Sequence, residues 1–443
     1  MQDSQTGVRA SVAHHRSARA TVPRVLVAAL LLGTSGQVVR AEAPITAASA
    51  PAPVFTLDQA LAAAGSSAPG LDAAAADLRA AQAGRTVAGL RPNPEMQVQV
   101  ENVGGTGEFR GTQSAETTTG FALPIELGGK RSARIAVADA QTWRTEVEAA
   151  VVAADLRLQV TGAYLAAVAA ERRAEIAQME TDFAAVGFRA ASARVTAGAA
   201  SPIEQQRADV LRINADVALE RAKREAETAR ANLGRLIGKP VVGLLDRSWF
   251  ERIETYGPSA PIKAEGTLAL AAAEADLATA SAQVRLARSQ RVPDVTLSAG
   301  AKRLSASNDT AAVFGVSIPL PLFNGGRAAL DQATAQESAS DARRRMALID
   351  TEREIASAQA ELANAAASAR AAGGPGLAAA FEAARIAGIG YANGKFSQLD
   401  LIEAQRTLAQ TRSAYIDALV AYHGAEARLA RLIAPAPVPG GAQ

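Results

Sequence analysis

The chain carries the same series of motifs twice, and this duplication constrains its fold more than any other feature. Three motifs of the first half recur in the second: 90–95 (LRPNPE) as 290–294 (QRVPD), 123–130 (LPIELGGK) as 318–327 (IPLPLFNGGR), and 195–201 (VTAGAAS) as 391–397 (YANGKFS). Matching positions lie 196 to 199 residues apart. Solenoid repeats are much shorter, at roughly 20–50 residues. The sequence therefore predicts one fold built from two similar halves.

The first 41 residues have the pattern of a secretory signal peptide. Four arginines between positions 9 and 24 precede an apolar run at 25–32, and mostly small and polar residues follow as far as Ala41. A basic segment, a short apolar segment and a small-residue cleavage site are together typical of export signals. We predict cleavage after Ala41, which leaves Pro44 inside the mature chain.

Removing this segment changes the sign of the net charge. Residues 1–41 contribute +4, from five arginines and Asp3, so the chain beyond them carries −2 instead of +2. Nucleic-acid binding thereby loses its main support, and we predict no nucleic-acid partner. The sequence contains no cysteine, which excludes disulfides, thiolate metal sites and a lipid-modified cysteine.

Each half contains two segments with the two-residue period of a β-strand. In the first, Met96, Val98 and Val100 alternate with polar residues, and the chain returns after a Gly-rich loop at 104–111. Each strand is roughly ten residues long, which suits a tilted strand that crosses hydrocarbon. The predicted strands are at about 94–104, 115–125, 293–303 and 312–322.

A long helix follows each strand pair. The segments 130–196 and 327–392 would each extend roughly 100 Å at 1.5 Å per residue, and helices of that length form coiled coils or a long bundle. The returning helices carry Ala-rich apolar seams at intervals of three and four residues. We predict long helical hairpins at 130–237 and 327–434, with a kink at 373–376 (GGPG).

These patterns divide the chain into five parts. The predicted parts are the signal peptide (1–41), a first repeat (42–238), an equatorial linker (239–263), a second repeat (264–434) and a disordered tail (435–443). No stretch after the signal reaches 18 consecutive strongly apolar residues, so we expect a membrane location to require a β-barrel.

The strand count predicts an oligomer. The smallest outer-membrane barrels have about eight strands, and each half of this chain supplies two. An unclosed sheet would leave unpaired backbone groups in lipid, at a cost of several kcal/mol each. Several copies must therefore share one barrel if these strands span a membrane, although the count does not give their number.

The paired motifs resemble those of the TolC-type outer membrane efflux family. The resemblance covers residues 57–433, and segments 91–95 (RPNPE) and 124–131 (PIELGGKR) are similar to the cobalt–zinc–cadmium resistance branch of that family. It implies a mainly α fold with membrane β, built from a duplicated helix–hairpin–long helical hairpin unit. Three chains of four strands would form a 12-stranded β-barrel, continued by a 12-helix periplasmic α-barrel.

The same resemblance implies a function and partners. It implies a passive homotrimeric duct in the outer membrane of a Gram-negative bacterium, in contact with outer membrane lipid and extending into the periplasm. Its implied partners are a periplasmic membrane-fusion adaptor and an inner-membrane RND-type pump. Its implied cargo is divalent heavy-metal cations. The alternative is a drug-efflux or type I secretion channel, which would carry drugs or proteins instead of metal cations.

The resemblance also implies roles for the two helical turns. It makes Gly198, Ser201, Gly394 and Ser397 the periplasmic tips at which the adaptor docks. From the residues alone, each turn is equally well explained as a helical hairpin, because glycine ends one helix and serine caps the next.

The resemblance also implies that charged and aromatic residues near these turns form a gate. Asp400 and Glu403 are three residues apart on one helix face and match an acidic constriction, which would attract cations. Tyr391 and Glu204 match residues that hold neighbouring hairpins together in the closed state. Phe396 stands where related channels often carry an arginine.

The sequence shows no catalytic or cofactor-binding motif. His423 is the one histidine beyond the signal peptide, and a lone histidine on an amphipathic helix is more often a packing residue than a ligand. We predict no enzymatic activity, no cofactor and no specific metal site. A periplasmic coiled-coil adaptor is the remaining alternative, although it would carry one hairpin between compact β-domains.

Overall fold

The computed structural model describes residues 54–254 and 262–438. The predicted signal peptide at 1–41, residues 255–261 of the predicted linker and residues 439–443 of the predicted tail lie outside the described residues.

The first half begins with short elements, continues through two strands and ends in a long helical hairpin. Its elements are β1 (Val54–Phe55), α1 (Leu57–Gly65), α2 (Pro69–Ala88), β2 (Glu95–Glu101), β3 (Glu116–Ile125), α3 (Lys130–Thr196) and α4 (Pro202–Leu236). The Ser-Ser-Ala-Pro segment at 66–69 separates α1 from α2, and Pro69 stands in the first turn of α2, where a missing N–H costs nothing.

The second half repeats this order after a short connection. Its elements are β4 (Leu244–Leu245), α5 (Arg247–Phe250), α6 (Leu268–Gln290), β5 (Val295–Leu304), β6 (Thr310–Ser317), α7 (Arg327–Ala371), α8 (Leu377–Ala392) and α9 (Gln398–Leu432). The chain is therefore mainly helical, with a small sheet, as the sequence predicted.

Two strands are shorter than predicted, and the tail begins in an ordered contact. β6 ends at Ser317 instead of about 322, because Pro319 and Pro321 cannot donate to a strand ladder. β2 ends at Glu101, because Asn102 adopts a φ of 59°. In the predicted disordered tail, the N–H of Ala436 donates to the carbonyl of Gly266 at 2.8 Å.

The four longer strands form one antiparallel sheet in the order β2-β3-β5-β6. The two halves meet where β3 pairs with β5. At this seam Gly120 lies opposite Gly300, and a Cβ on Gly300 would stand 2.6 Å from the carbonyl oxygen of Thr119. β2 and β6 are the edges of the sheet, so each leaves a row of backbone groups for another strand.

The sheet has one apolar and one polar face. Phe314 is 81% exposed on the apolar face, although it is a large aromatic side chain. The exposed large side chains of this face are Met96, Val98, Val100, Phe121, Leu123, Leu297, Phe314 and Val316. An exposed apolar patch of this extent marks a surface that contacts lipid or protein.

Charged side chains join the sheet to the helices. The Lys130 ammonium lies 2.7 Å from Asp294, whose carboxylate also accepts the N–H of Leu127 at 3.0 Å. Arg134 pairs with Glu126 through its two terminal guanidinium nitrogens, and Nη2 lies 3.0 Å from Glu126 Oε2. The repeated LGGK and Pro-Asp motifs therefore meet in space and connect the end of β3 to the beginning of β5.

Aromatic side chains form the centre of the helical core. The Tyr164 hydroxyl of α3 donates to the carbonyl of Phe55 at 2.7 Å and accepts the N–H of Asp246 at 2.9 Å. His423 of α9 is 3% exposed, stacks on Trp249 and lies 2.9 Å through Nε2 from the carbonyl oxygen of Phe250. His423 is thus a packing residue that holds the linker against the bundle.

α3 contains an 18-residue stretch long and apolar enough to cross a membrane by length and composition. Such a stretch was not predicted from the sequence. The core helix of a helical bundle passes the same test. α3 packs against α2, α4, α6 and α9, and it buries Val160, Tyr164 and Leu165. Part of its apolar surface therefore packs against protein, and 28% of the 18-residue stretch is buried within one chain.

The second hairpin is kinked at a place where the matching helix of the first hairpin is uninterrupted. A π-type turn, Ala372–Gly376, separates α7 from α8, and Gly374 has a non-helical ψ of −105°. Pro375 lacks an N–H and interrupts the helical ladder. A Cβ on Gly373 would stand 2.3 Å from the Tyr415 ring of α9, so this ring fits against the bare glycine backbone.

Candidate functional site

Both long hairpins reverse at a left-handed glycine, as the sequence predicted for 198 and 394. Gly198 has a φ of 71° and Gly394 a φ of 70°. The N–H of Ala199 donates to the carbonyl of Arg194 at 2.8 Å, and the N–H of Lys395 donates to Gly390 at 2.8 Å. These bonds satisfy the last carbonyls of α3 and α8.

The serines that follow are N-caps, but they act differently. The Ser397 hydroxyl accepts the N–H of Asp400 at 3.2 Å, and the Asp400 carboxylate accepts the N–H of Ser397 at 2.9 Å, which completes a capping box. Ser201 stands at the N-cap of α4 without a side-chain capping bond. Glu204 occupies the position in α4 that corresponds to Asp400.

The two acids of the candidate constriction are exposed on α9. Asp400 and Glu403 are both exposed and lie three residues apart, so they share one helix face. The hydrogen bonds from the Ser397 hydroxyl and its backbone N–H lower the pKa of the Asp400 carboxyl below its usual value. Asp400 therefore carries a negative charge at neutral pH, and its capping role fixes where that charge stands.

The candidate latch residues, Tyr391 and Glu204, lie near each other without a hydrogen bond. Tyr391 is buried with Ala387 and Leu401. The Arg194 guanidinium lies over the Tyr391 ring, 5.3 Å from its centroid. Burial raises the pKa of the Tyr391 hydroxyl. The positive charge of Arg194 acts to lower this pKa, and the negative charge of Glu204 acts to raise it further. These contacts bring the first hairpin to the second.

Arg194 is a residue of this site that was not predicted from the sequence. The same offset of 196 that relates Gly198 to Gly394 relates Arg194 to Gly390. A Cβ on Gly390 would stand 2.0 Å from the Phe396 ring, so Phe396 packs over this glycine. The sequence offered one signal for this role: Phe396 stands where related channels often carry an arginine. The arginine at the tip comes instead from the first half of the chain.

Buried polar atoms without partners collect at this tip. Among the described residues, the buried side-chain nitrogen and oxygen atoms that lack a hydrogen bond belong to Ser192, Arg194, Glu204 and Tyr391. An unpaired buried polar group costs about 1–3 kcal/mol. The tip therefore contains groups that a different arrangement of helices, or another chain, could satisfy.

The described part of the chain shows no candidate metal centre. Within residues 54–254 and 262–438, no three His, Asp or Glu side chains form a group that could hold a metal ion. Asp400 and Glu403 are exposed acids of a surface and do not form a chelating cluster.

Comparison with known proteins identifies this architecture. The model of the outer membrane efflux protein family matches residues 60–239 and 264–434, one match for each half. The chain belongs to the outer membrane efflux protein family. It is 34% identical over 391 residues to the cobalt-zinc-cadmium resistance protein CzcC of Cupriavidus metallidurans, covering 86% of this chain and 90% of that protein.

Further comparisons agree with this membership. The nickel and cobalt resistance protein CnrC of the same organism is 31% identical over 281 residues, covering 62% of this chain and 66% of that protein. The outer membrane protein VceC of Vibrio cholerae has the same fold, with a TM-score of 0.71 at 19% identity over 86% of this chain and 96% of that one. This outer membrane efflux protein therefore has metal-resistance relatives and shares the fold of solved outer membrane proteins.

Proposed function

We propose that this efflux protein is the outer-membrane duct of a tripartite pump that exports divalent heavy-metal cations. The observation that carries the proposal is its 34% identity to CzcC across 90% of that protein's length. The duct is passive and stands in the outer membrane of a Gram-negative bacterium, with its helices in the periplasm. A membrane-fusion adaptor and an inner-membrane RND-type pump supply the cations and the energy.

The open sheet supports an oligomer, and the resemblance to the efflux family makes it a homotrimer. Strands alternate in direction along the order β2-β3-β5-β6, so β6 of one copy would meet β2 of the next in antiparallel pairing. Three copies of four strands form a 12-stranded barrel, with the apolar face towards lipid. The four long helical arms of each copy would continue this barrel as a 12-helix tunnel.

The alternatives differ in cargo or in architecture. A drug-efflux or type I secretion channel would keep this fold and change the cargo. A periplasmic adaptor would lack the sheet with one apolar face, which joins both halves of the described chain. The relatives named for cobalt, zinc, cadmium and nickel favour metals over drugs and proteins.

Growth of a strain that lacks the gene tests the proposed cargo. We expect sensitivity to zinc, cobalt, cadmium or nickel, restored by the intact gene, with normal tolerance of dyes and detergents. Sensitivity to dyes and detergents with normal metal tolerance would instead assign the duct to drug efflux.

We propose that Asp400 and Glu403 form the acidic constriction at the periplasmic end. Their exposure on one face of α9 supports this role, and six carboxylates from three copies would attract cations. Tyr391 and Glu204, together with Arg194, form the latch that holds the hairpins closed. The tips at Gly198, Ser201, Gly394 and Ser397 receive the adaptor.

Neutralising the two acids is expected to reduce cation selectivity. Asp400→Asn with Glu403→Gln removes the charges but keeps an oxygen that can accept the Ser397 bonds, so the cap of α9 survives. We expect the ratio of potassium to chloride permeability in planar bilayers to fall at least about threefold. An unchanged ratio would place the constriction elsewhere.

A bulky residue at the second tip is expected to weaken adaptor capture. Gly394→Val forces a β-branched residue into a φ of 70°, which distorts the turn. We expect cross-linking to the adaptor to fall about tenfold, while Gly388→Ala, inside α8 with open space at its Cβ position, leaves it unchanged. Undiminished cross-linking of the Gly394→Val chain would refute docking at this tip.

A further inference from the structure

Three charged side chains meet at the end of the sheet that is remote from the helices. Glu101 ends β2, Glu116 begins β3, and the two residues lie directly opposite each other. The Lys302 ammonium of β5 lies 3.0 Å from Glu101 Oε2 and 2.5 Å from Glu116 Oε2. One lysine therefore bridges two carboxylates across three strands and connects the two halves of the chain.

All three side chains belong to the polar face of the sheet. By strand register they share this face with Gln97, Gln99, the glycines Gly120 and Gly300, and Leu304, which lies opposite Glu116. The neighbouring Arg303 lies on the opposite face, in register with Thr117, and its guanidinium contacts Asn308 at 2.8 Å. In a barrel whose apolar face meets lipid, Lys302 faces the lumen and Arg303 faces outward.

Lys302 sets the net charge of this group of three side chains. Two glutamates directly opposite on neighbouring strands repel each other, and the ammonium between them removes that repulsion. The three groups together carry a net charge of −1 in each chain. Without Lys302 the charge would be −2, and the two carboxylates would face the lumen as a pair of oxygen ligands.

We propose that Lys302 sets the ion selectivity of the outer mouth and keeps exported cations from being held there. The proposal rests on the proposed function, because it requires that the sheet line a conducting pore. A ring of charged side chains in a low-dielectric wall controls which ions enter, and conduction requires that each site release its ion. Lys302 occupies the position between the carboxylates that a divalent cation would otherwise take.

The test measures selectivity and block of the full-length chain in planar bilayers. With Lys302→Gln we expect the ratio of potassium to chloride permeability to rise at least about threefold. We also expect cadmium added to the outer side to block the pore at about tenfold lower concentration than in the wild type. Cadmium is the probe because two carboxylates can bind a divalent cation without any further ligand from the protein.

Two variants make the result specific. Arg303→Gln removes the same charge one residue away on the other face, and it should leave both the permeability ratio and the cadmium block unchanged. Glu116→Gln combined with Lys302→Gln restores the net charge of −1 and should restore the wild-type ratio.

The possible failures are distinguishable. Conducting pores in which Lys302→Gln behaves like the wild type, or in which Arg303→Gln has an equal effect, would overturn this inference alone. A chain that inserts into the bilayer and forms no pores, even when Arg194→Gln releases the proposed latch, would overturn the proposed function and this inference with it.

Discussion

Replacing Gly300 with valine is expected to prevent the chain from forming an outer-membrane channel. The new Cβ would stand 2.6 Å from the carbonyl oxygen of Thr119 and 2.8 Å from the Cα of Gly120. Both neighbours are backbone atoms, so β3 and β5 must separate at the seam between the two halves. Overpacking of this kind costs about 1–3 kcal/mol when side chains can yield, and we expect more here.

Heat-modifiable gel mobility and metal resistance together measure this effect. We expect no folded species on the gel and resistance as low as that of the deletion strain. Ala301→Val is the matched control, because Ala301 is exposed on the other face of the same strand and valine favours strands. Gly120→Val should reproduce the defect from the opposite strand. Normal assembly of the Gly300→Val chain would show that the two strands lie farther apart than the structure has them.

Replacing Arg194 with glutamine is expected to open the periplasmic end of the channel. The Arg194 guanidinium lies over the Tyr391 ring and joins the tip of the first hairpin to that of the second. A cation–π contact contributes roughly 0.5–2 kcal/mol. In the proposed homotrimer, three copies acting together should therefore shift the ratio of open to closed channels at least about tenfold. The measurement is the time-averaged conductance of the purified channel.

Substitutions at Tyr391 separate the ring from its hydroxyl. Tyr391→Leu should open the channel as Arg194→Gln does, because both remove the cation–π contact. Tyr391→Phe keeps the ring and should remain closed, since the hydroxyl has no hydrogen bond in the described structure. Arg189→Gln, an exposed position on the same helix, is the control for loss of charge. If Tyr391→Phe opens the channel, the hydroxyl bonds to a neighbouring copy and the latch lies between chains.

Much of the fold could be predicted from the sequence because its signals are local. The alternation of Met96, Val98 and Val100 follows from the geometry of a strand, whose side chains alternate between faces. The positive φ of Gly198 and Gly394 follows from the steric freedom of glycine at a helix end. Strand ends were less predictable: the period of two continues past Ser317, but the prolines at 319 and 321 end the ladder.

The candidate site was predicted in part. Asp400 and Ser397 form the cap that their spacing indicates, because a capping box involves residues three apart in one turn. Ser201 has the same sequence signal and makes no such bond, since Glu204 is half-buried beside the second hairpin instead of reaching back to its own cap. The same local pattern therefore predicted a capping bond correctly at Ser397 and wrongly at Ser201, because the neighbouring hairpin holds Glu204 away from its cap.

The sequence by itself determined the duplication, the strand pairs, the two long hairpins and the positions of their turns. Only the tertiary structure decided which charged and aromatic groups meet. Arg194 and Tyr391 are brought together by the packing of two separate hairpins, and Lys302 reaches Glu101 and Glu116 through the register of three strands. Periodicity and turn chemistry depend on neighbours within a few residues. Contacts between residues nearly 200 positions apart depend on how whole elements pack, and no local pattern encodes that distance.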